Sequence, residues 1–504
     1  MMKATARIWG KIGGLAMERA WEKKTIGWKL QGKKVARRVQ KEVSAYRRFL
    51  AERGLNSNVE FDQLPVTDKQ SYALSYPYEE LLGGDREKFL AIFRSSGSSG
   101  NPFFWPVLKP SSRLMPWSTR LFLEQSFAIH KRKTMVIVGL GLGSWLPGEH
   151  FSWGMKNVAM QVSYPFWVFT PGTNFQEIIE MVQRMDNLVE QIIILITPAA
   201  IPHLRLKAVE LGQTLPLAKL RYVLLGEPFP ESIRSYWQTE AGIPPEIAFM
   251  LSMYGSNDTG GLGVESLGSV AVRQLLEQNP ALAEELGITP PIPLFFHAIA
   301  FDAFLEIVDG SLCITRWQGI PLVRYMVYDK VAFYSWQKLK QAILTSKHLP
   351  PGDNPWVDVV AKSANWLPNI IAVTGRSDSC LILNGITITE YMLDEAVRCA
   401  ELQPILTGIY RARIIYEETR QHLALDLELN PDVIIDATTS DLVYHHLVKS
   451  LGRVEPVFLA TWKNEYSHWD NDPDKRVFKI RLLPWPSLSQ STETSIKQRG
   501  IVRE

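Results

Sequence analysis

Four short strings in this 504-residue chain carry residue types that handle anions and hard cations. The first, Ser95-Ser96-Gly97-Ser98-Ser99-Gly100-Asn101-Pro102, sets two glycines among four hydroxyls. Glycine admits backbone angles that let successive N–H groups converge, and hydroxyls bond phosphate oxygens. The string therefore reads either as an anion-binding nest or as a flexible Ser/Gly linker. Tyr254-Gly255-Ser256-Asn257-Asp258-Thr259 joins an aromatic ring to a carboxylate at the end of an apolar run. Asp329 follows closely on Arg324-Tyr325, and Thr374-Gly375-Arg376-Ser377-Asp378 leads into Asn384-Gly385. Taken singly, each of these three also fits ordinary turn chemistry.

Two near-matches are set aside. Gly27 to Lys34 (GWKLQGKK) copies a Walker A loop except that Lys34 stands where the metal-binding Ser/Thr belongs, and no apolar strand precedes it. Gly139-Leu140-Gly141-Leu142-Gly143 follows a strand-like run but has Ser144 at the third glycine of a dinucleotide fingerprint, so it reads as a tight turn.

In this order and spacing, the four strings resemble the adenylate-forming (ANL) superfamily of acyl-CoA synthetases, luciferases and peptide-synthetase adenylation domains, most closely its phenylacetate-CoA ligase-like branch. The resemblance runs from about residue 60 to about 483, and Thr170 to Asn174, Thr197-Pro198 and Gly226-Glu227-Pro228 sit where that branch carries similar turns. It implies ATP-dependent activation of a carboxylic acid to an acyl-adenylate, then transfer to coenzyme A or a carrier-protein phosphopantetheine. Ser95, Ser96, Gly97, Ser98, Ser99 and Gly100 would hold the β- and γ-phosphates, and Asp258 would bind Mg²⁺. Tyr254, Gly255 and the turn of Gly226, Glu227 and Pro228 would border the adenine, Asp329 would receive the ribose hydroxyls, and Arg376 would support the ribose or phosphate side. Lys475, with Lys479 as second choice, would stabilise charge as the acyl-phosphate bond forms, and Asp378 would be a hinge. An acid already ionised at pH 7 needs no general base for attack on phosphorus, so the lack of a Ser-His-Asp triad is no objection.

Departures from the family pattern accompany the match. Asp258 stands where a glutamate is usual, Phe103 replaces a lysine after the phosphate loop, and the glycine before Lys475 is missing. Two other readings therefore stay open: an altered relative that binds nucleotide or acyl-adenylate without turnover, and an acyl-protein synthetase that hands its acyl group to a partner.

The elements that must position these residues are legible as alternation. Apolar β-branched runs at 134–140, 191–197, 221–226 and 247–254 predict strands, with helices near 175–188, 201–212 and 230–241 between them, hence a parallel sheet with crossover helices. Runs at 302–308 and 312–317 flank Asp309-Gly310, an antiparallel hairpin signal. A second pattern after Asp378 predicts a helix near 389–401, strands at 408–417 and 422–429, a helix near 438–451 and a strand at 457–463. The expected architecture is α/β: a basic segment over residues 1–48, a large adenylate-forming domain of mixed sheets and covering helices over 49–375, a small mobile α+β domain over 376–484, and a tail over 485–504.

Composition bounds the rest. With 46% apolar and 21% charged residues the chain is globular and not disordered, and its apolar runs are too short for a transmembrane segment. The first 48 residues hold 14 of the 55 Lys/Arg and only three Glu, so the remainder is net acidic. A solvated helical face is the favoured reading of that segment; peripheral membrane contact is the alternative, and no nucleic-acid partner is expected. Cys313, Cys380 and Cys399 form no CxxC pair, which points to a reducing, cytoplasmic setting. Trp145, Phe151, Trp153, Tyr164, Phe166 and Trp167 cluster after the first strand, which reads either as ordinary core or as the wall of a pocket for an apolar or aromatic acid. An acyl carrier protein is a further candidate partner.

Overall fold

The computed structural model describes residues 25–488 apart from Trp28, 95–102, Trp145, Ala199, Pro230, 289–290, 351–353, Trp366, 377–379, Asp432 and Glu455. The phosphate-loop residues Ser95 to Gly100 and the hinge candidate Asp378 thus lie outside the described residues.

A short strand β1 (Thr25–Ile26) is followed by a hairpin, β2 (Phe89–Arg94) and β3 (Phe104–Leu108), that flanks the Ser/Gly string. Then come β4 (Thr134–Val138), β5 (Phe166–Phe169), β6 (Gln191–Ile196), β7 (Leu220–Leu224) and β8 (Met250–Ser256), which pair in parallel in the order β5-β4-β6-β7-β8. In β4, β6 and β7 every residue is buried, as a parallel sheet covered on both faces requires. The crossover helices Phe175–Met185, Ala200–Glu210 and Glu231–Glu240 fall where the alternation predicts them.

From β8 the same sheet continues antiparallel through β9 (Gly260–Val264), β10 (Leu294–Ala298), β11 (Ala303–Val308), β12 (Ser311–Arg316), β13 (Leu322–Ser335) and β14 (Asn369–Arg376), giving twelve strands with β1 at one edge. The β11–β12 hairpin turns through Asp309 (φ 49°) and Gly310 (φ 76°), the positive angles a two-residue turn demands. Helices Lys29–Glu42 and Ser44–Ala51, with Val43 between them, bury Val35, Ala36, Val39, Val43 and Phe49 in the core beneath β11–β13. Their charged face is solvated, with Lys29, Arg38 and Arg48 paired to Asp62, Glu42 and Glu80. Among the described residues no helix is long and apolar enough to cross a membrane, and no cysteine forms a disulfide.

A smaller C-terminal domain has its own core. The hairpin β15 (Cys380–Leu383) and β16 (Ile386–Thr389) precedes a three-stranded sheet in which β17 (Leu406–Glu417) runs antiparallel to β18 (Arg420–Leu429), and β19 (Phe478–Leu483) parallel to β18. Helices Glu390–Val397 and Ala437–Val454 match expectation. The strand expected at 457–463 does not form. Pro456–Thr461 is helical and continues into a wide turn, Trp462–Tyr466. Phe458, Trp462 and Tyr466 recur every four residues and are all buried, so the stretch has a helical period that its aromatic and β-branched composition masked.

Candidate active site

Parallel sheets open at the carboxyl ends of their strands, and ligands collect there. A cavity of about 810 Å³ lies at that end of β4, β6, β7 and β8, bordered by Gly139, Thr197, Gly226 and Tyr254. Eight of the sequence-predicted site residues line it: Gly226, Glu227, Pro228, Tyr254, Gly255, Asp258, Asp329 and Arg376.

Register brings two of the separate strings together. Pairing of β13 with β14 sets Asp329 opposite Arg376, and Arg376 Nη1 lies 3.4 Å from Asp329 Oδ1. Tyr254 donates its hydroxyl to Asp329 Oδ2 at 2.5 Å, and its ring stacks on Phe296 of β10 at 5.3 Å between centroids. Burial, reinforced by the Asp329 charge, raises the Tyr254 phenol well above its ordinary pKa, so it stays a neutral donor.

Asp258 sits in the turn between β8 and β9. Its Oδ2 accepts the hydroxyl of Tyr325 at 2.6 Å, and its carbonyl accepts Gln318 Nε2 at 2.7 Å. One carboxylate suits a magnesium ion held mainly by phosphates and waters; among the described residues no group of three or more His, Cys, Asp or Glu forms a cation cage. The Arg324-Tyr325 pair divides its labour. Tyr325 faces Asp258, whereas Arg324 turns away to Glu306 (3.0 Å) and the carbonyl of Leu64 (2.6 Å).

The Asn384-Gly385 turn of the C-terminal domain closes the cavity from the other side. Both residues have positive φ (47° and 73°), which sharpens the hairpin tip enough to enter the large domain. Thr197 Oγ1 donates to Asn384 Oδ1 at 2.5 Å, and Gly385 N–H donates to Glu227 Oε2 at 3.0 Å. A Cβ on Gly226 would meet the Gly385 Cα at 3.2 Å, so the approach uses a bare backbone on both sides. Asn384 Nδ2 in turn donates to Glu465 Oε2 at 2.5 Å.

Lys475 is not on the cavity wall. It lies in the turn before β19, half exposed and paired with Asp472 at 3.2 Å, while Lys479 pairs with Glu417 at 2.9 Å. Of the expected aromatic cluster, Phe151 borders the cavity, Phe166 is core and Trp167 is 41% exposed; Trp145 lies outside the described residues. Beside Phe151, the cavity's apolar wall includes Trp105, Leu140, Leu146, Met253, Ile299 and Phe301. His150, on the same wall, is lowered to about 4 by burial and the Arg316 charge. Sequence reasoning missed Tyr325 as a partner of Asp258, and Glu465 altogether; the Asn-Gly pair was the one local signal for the turn that reaches in.

A phenylacetate-coenzyme A ligase of Aromatoleum evansii is 21% identical over 404 residues, 79% of each chain. Among solved structures, 2-hydroxyisobutyryl-CoA ligase, in complex with 2-HIB-AMP and CoA in the thioesterification state, superposes with a TM-score of 0.55 at 14% identity. The match covers 94% of this chain and 88% of that one. No family model matches the chain.

Proposed function

For a chain whose sequence and fold make it a phenylacetate-CoA ligase-like protein of the adenylate-forming superfamily, we propose the activity of an AMP-forming acid–thiol ligase. The observation that carries the reading is the convergence of Tyr254, Asp258, Asp329, Arg376 and the Gly226 turn on one cavity at the carboxyl ends of the parallel strands.

In the first half-reaction the substrate carboxylate, ionised at neutral pH, attacks the α-phosphorus of ATP and releases pyrophosphate. The site's task is alignment and charge neutralisation of two anions. Tyr254 and the Gly226-Glu227-Pro228 turn flank the adenine, Asp329 receives the ribose hydroxyls, and Arg376 offsets their negative surroundings. Asp258 would hold Mg²⁺, which supplies charge neutralisation on the phosphates when bound. Ser95 to Gly100 are assigned to those phosphates by their hydroxyls and glycines. Lys475 serves this step in a different placement of the small domain, for which Asp378 is the candidate hinge.

In the second half-reaction a thiol attacks the acyl carbon and AMP departs. We assign to that step the arrangement described above, in which the Asn384-Gly385 turn sits against Thr197 and Glu227 while Lys475 stands off the cavity wall. Coenzyme A is the acceptor we favour. The apolar wall, including Trp105, Phe151 and Phe301, favours an apolar or aromatic acid. A cytoplasmic setting accords with these co-substrates.

Radiolabelled pyrophosphate exchange with Mg²⁺ across a panel of carboxylic acids tests the proposal, followed by addition of coenzyme A and assay for thioester. Exchange with at least one apolar acid is expected; silence across the whole panel would leave a nucleotide-binding relative without turnover.

A further inference from the structure

The thiol of the second half-reaction must lose a proton, and an unassisted thiol near pKa 8.5 is mostly protonated at neutral pH. Among the described residues, Glu465 is the one carboxyl that the C-terminal domain contributes to the cavity wall. It sits on the wide turn Trp462–Tyr466 and is 5% exposed. Asn384 fixes its Oε2 while anchoring itself to Thr197, and the next residue, Gly385, anchors to Glu227. Thr197 and Glu227 belong to the large domain and Asn384, Gly385 and Glu465 to the small one, so the two hydrogen bonds that span the domains exist only while the domains meet as they do here.

Of the other carboxyls and imidazoles on the wall, Asp258 and Asp329 hold the hydroxyls of Tyr325 and Tyr254, Glu227 holds the Gly385 N–H, and Asp302 pairs with Arg316 at 2.8 Å. Burial and the Arg316 charge hold His150 down to about 4, which makes it a weaker base than a carboxylate titrating near neutrality. Resting on the ligase reading, we infer that Glu465 is the proton acceptor for the attacking thiol. The S–H proton passes to the Glu465 carboxylate as the sulfur's electron pair forms the C–S bond to the acyl carbon. The bond from that carbon to the phosphate oxygen breaks, and AMP leaves with its electron pair.

The surroundings of Glu465 suit that duty. Burial and the facing charge of Glu227 raise it to about 7, against the hydrogen bonds from Asn384 and Tyr466. Behind these, Arg420 faces Tyr466 and Tyr416 faces Glu227. A carboxyl titrating there is substantially ionised at neutral pH and a far better match to a thiol than an ordinary glutamate.

The test measures the two half-reactions separately in full-length protein, using coenzyme A and the panel acid that gives fastest exchange. Glu465→Gln is expected to keep pyrophosphate exchange within threefold. Single-turnover thioester formation from preformed acyl-adenylate should fall roughly 10²-fold at pH 7.5, the usual contribution of a general base. In the wild type this rate should drop tenfold per pH unit below about 7, and the variant should lose that limb. Thioester formation unchanged in the variant, or slowed with the limb intact, overturns the assignment, the latter meaning that Glu465 only positions Asn384. If Glu465→Gln loses both half-reactions, the wild-type profile decides, and a flat profile from pH 6 to 8 refutes the base. Absence of exchange in the wild type with every acid would refute the ligase reading itself and take this inference with it.

Discussion

Nucleotide affinity should respond sharply to Asp329→Asn. The carboxylate is 9% exposed, accepts Tyr254 Oη–H at 2.5 Å and lies 3.4 Å from Arg376. A hydrogen bond to an ionised acceptor contributes about 1.5–3 kcal/mol, so two ribose hydroxyls would place about 3–6 kcal/mol on this group. The amide keeps the size but leaves one acceptor oxygen, for which Tyr254 already competes, and turns an N–H₂ toward Arg376. A residual single bond brings the expected loss to about 2–4 kcal/mol, roughly 30- to 700-fold in the Kd for ATP. Calorimetric titration with ATP and Mg²⁺, without acid substrate, measures it, and the melting temperature of each protein controls for loss of the Tyr254 contact. A Kd within threefold of wild type, in a variant that melts normally, would refute the ribose assignment and leave Asp329 as a packing partner of Tyr254.

Two further outcomes follow from the same geometry. Lys475→Ala should lower pyrophosphate exchange by about 10²-fold, the scale for removing one preorganised charge, while ATP affinity stays within twofold; an unchanged rate moves the assignment to Lys479 or to no lysine. His203 is 1% exposed, stacks on Trp469 at 4.5 Å and meets Tyr466 edge-on, and among the described residues neither ring nitrogen has a hydrogen-bond partner. Burial, with the Arg420 charge next, holds its pKa well below the ordinary 6.5. The folded state therefore excludes a proton that the unfolded chain binds: stability is whole above pH 6.5 and falls as pH drops below it, by about 1.4 kcal/mol per unit. Glu465, raised to about 7, contributes the opposite slope between pH 4.5 and 7 and is present in both proteins. Denaturant midpoints at pH 7.0 and 5.5 should show His203→Phe losing acid sensitivity relative to wild type, and equal slopes in the two would contradict the argument.

Much of the large domain was legible because its signals are local. The run Gln191–Ile196 is apolar on both faces and could be little other than a buried strand, and Asp309-Gly310 announces its hairpin through angles that few residue pairs adopt. The helix at Pro456–Thr461 was misread because six residues rich in apolar side chains carry no period of their own. The spacing that identifies it, Phe458 to Trp462 to Tyr466, runs past the segment into a wide turn.

The site was legible as a set of parts. The order of the strings from residue 95 to Gly385 named Tyr254, Asp258, Asp329 and Arg376 as candidates, since residue type and sequential order are properties of the chain itself. Which of them meet was decided by tertiary structure. The register of β13 against β14 sets Asp329 beside Arg376, and the alternation of side chains along β13 turns Tyr325 inward and Arg324 out. Thr197 and Asn384 stand 187 residues apart, and Asn384 and Glu465 a further 81, so no window along the chain contains the contact that seats Glu465 in the cavity wall. Its raised pKa arises from desolvation and from the charge of Glu227, and that charge reaches it only when the two domains are packed.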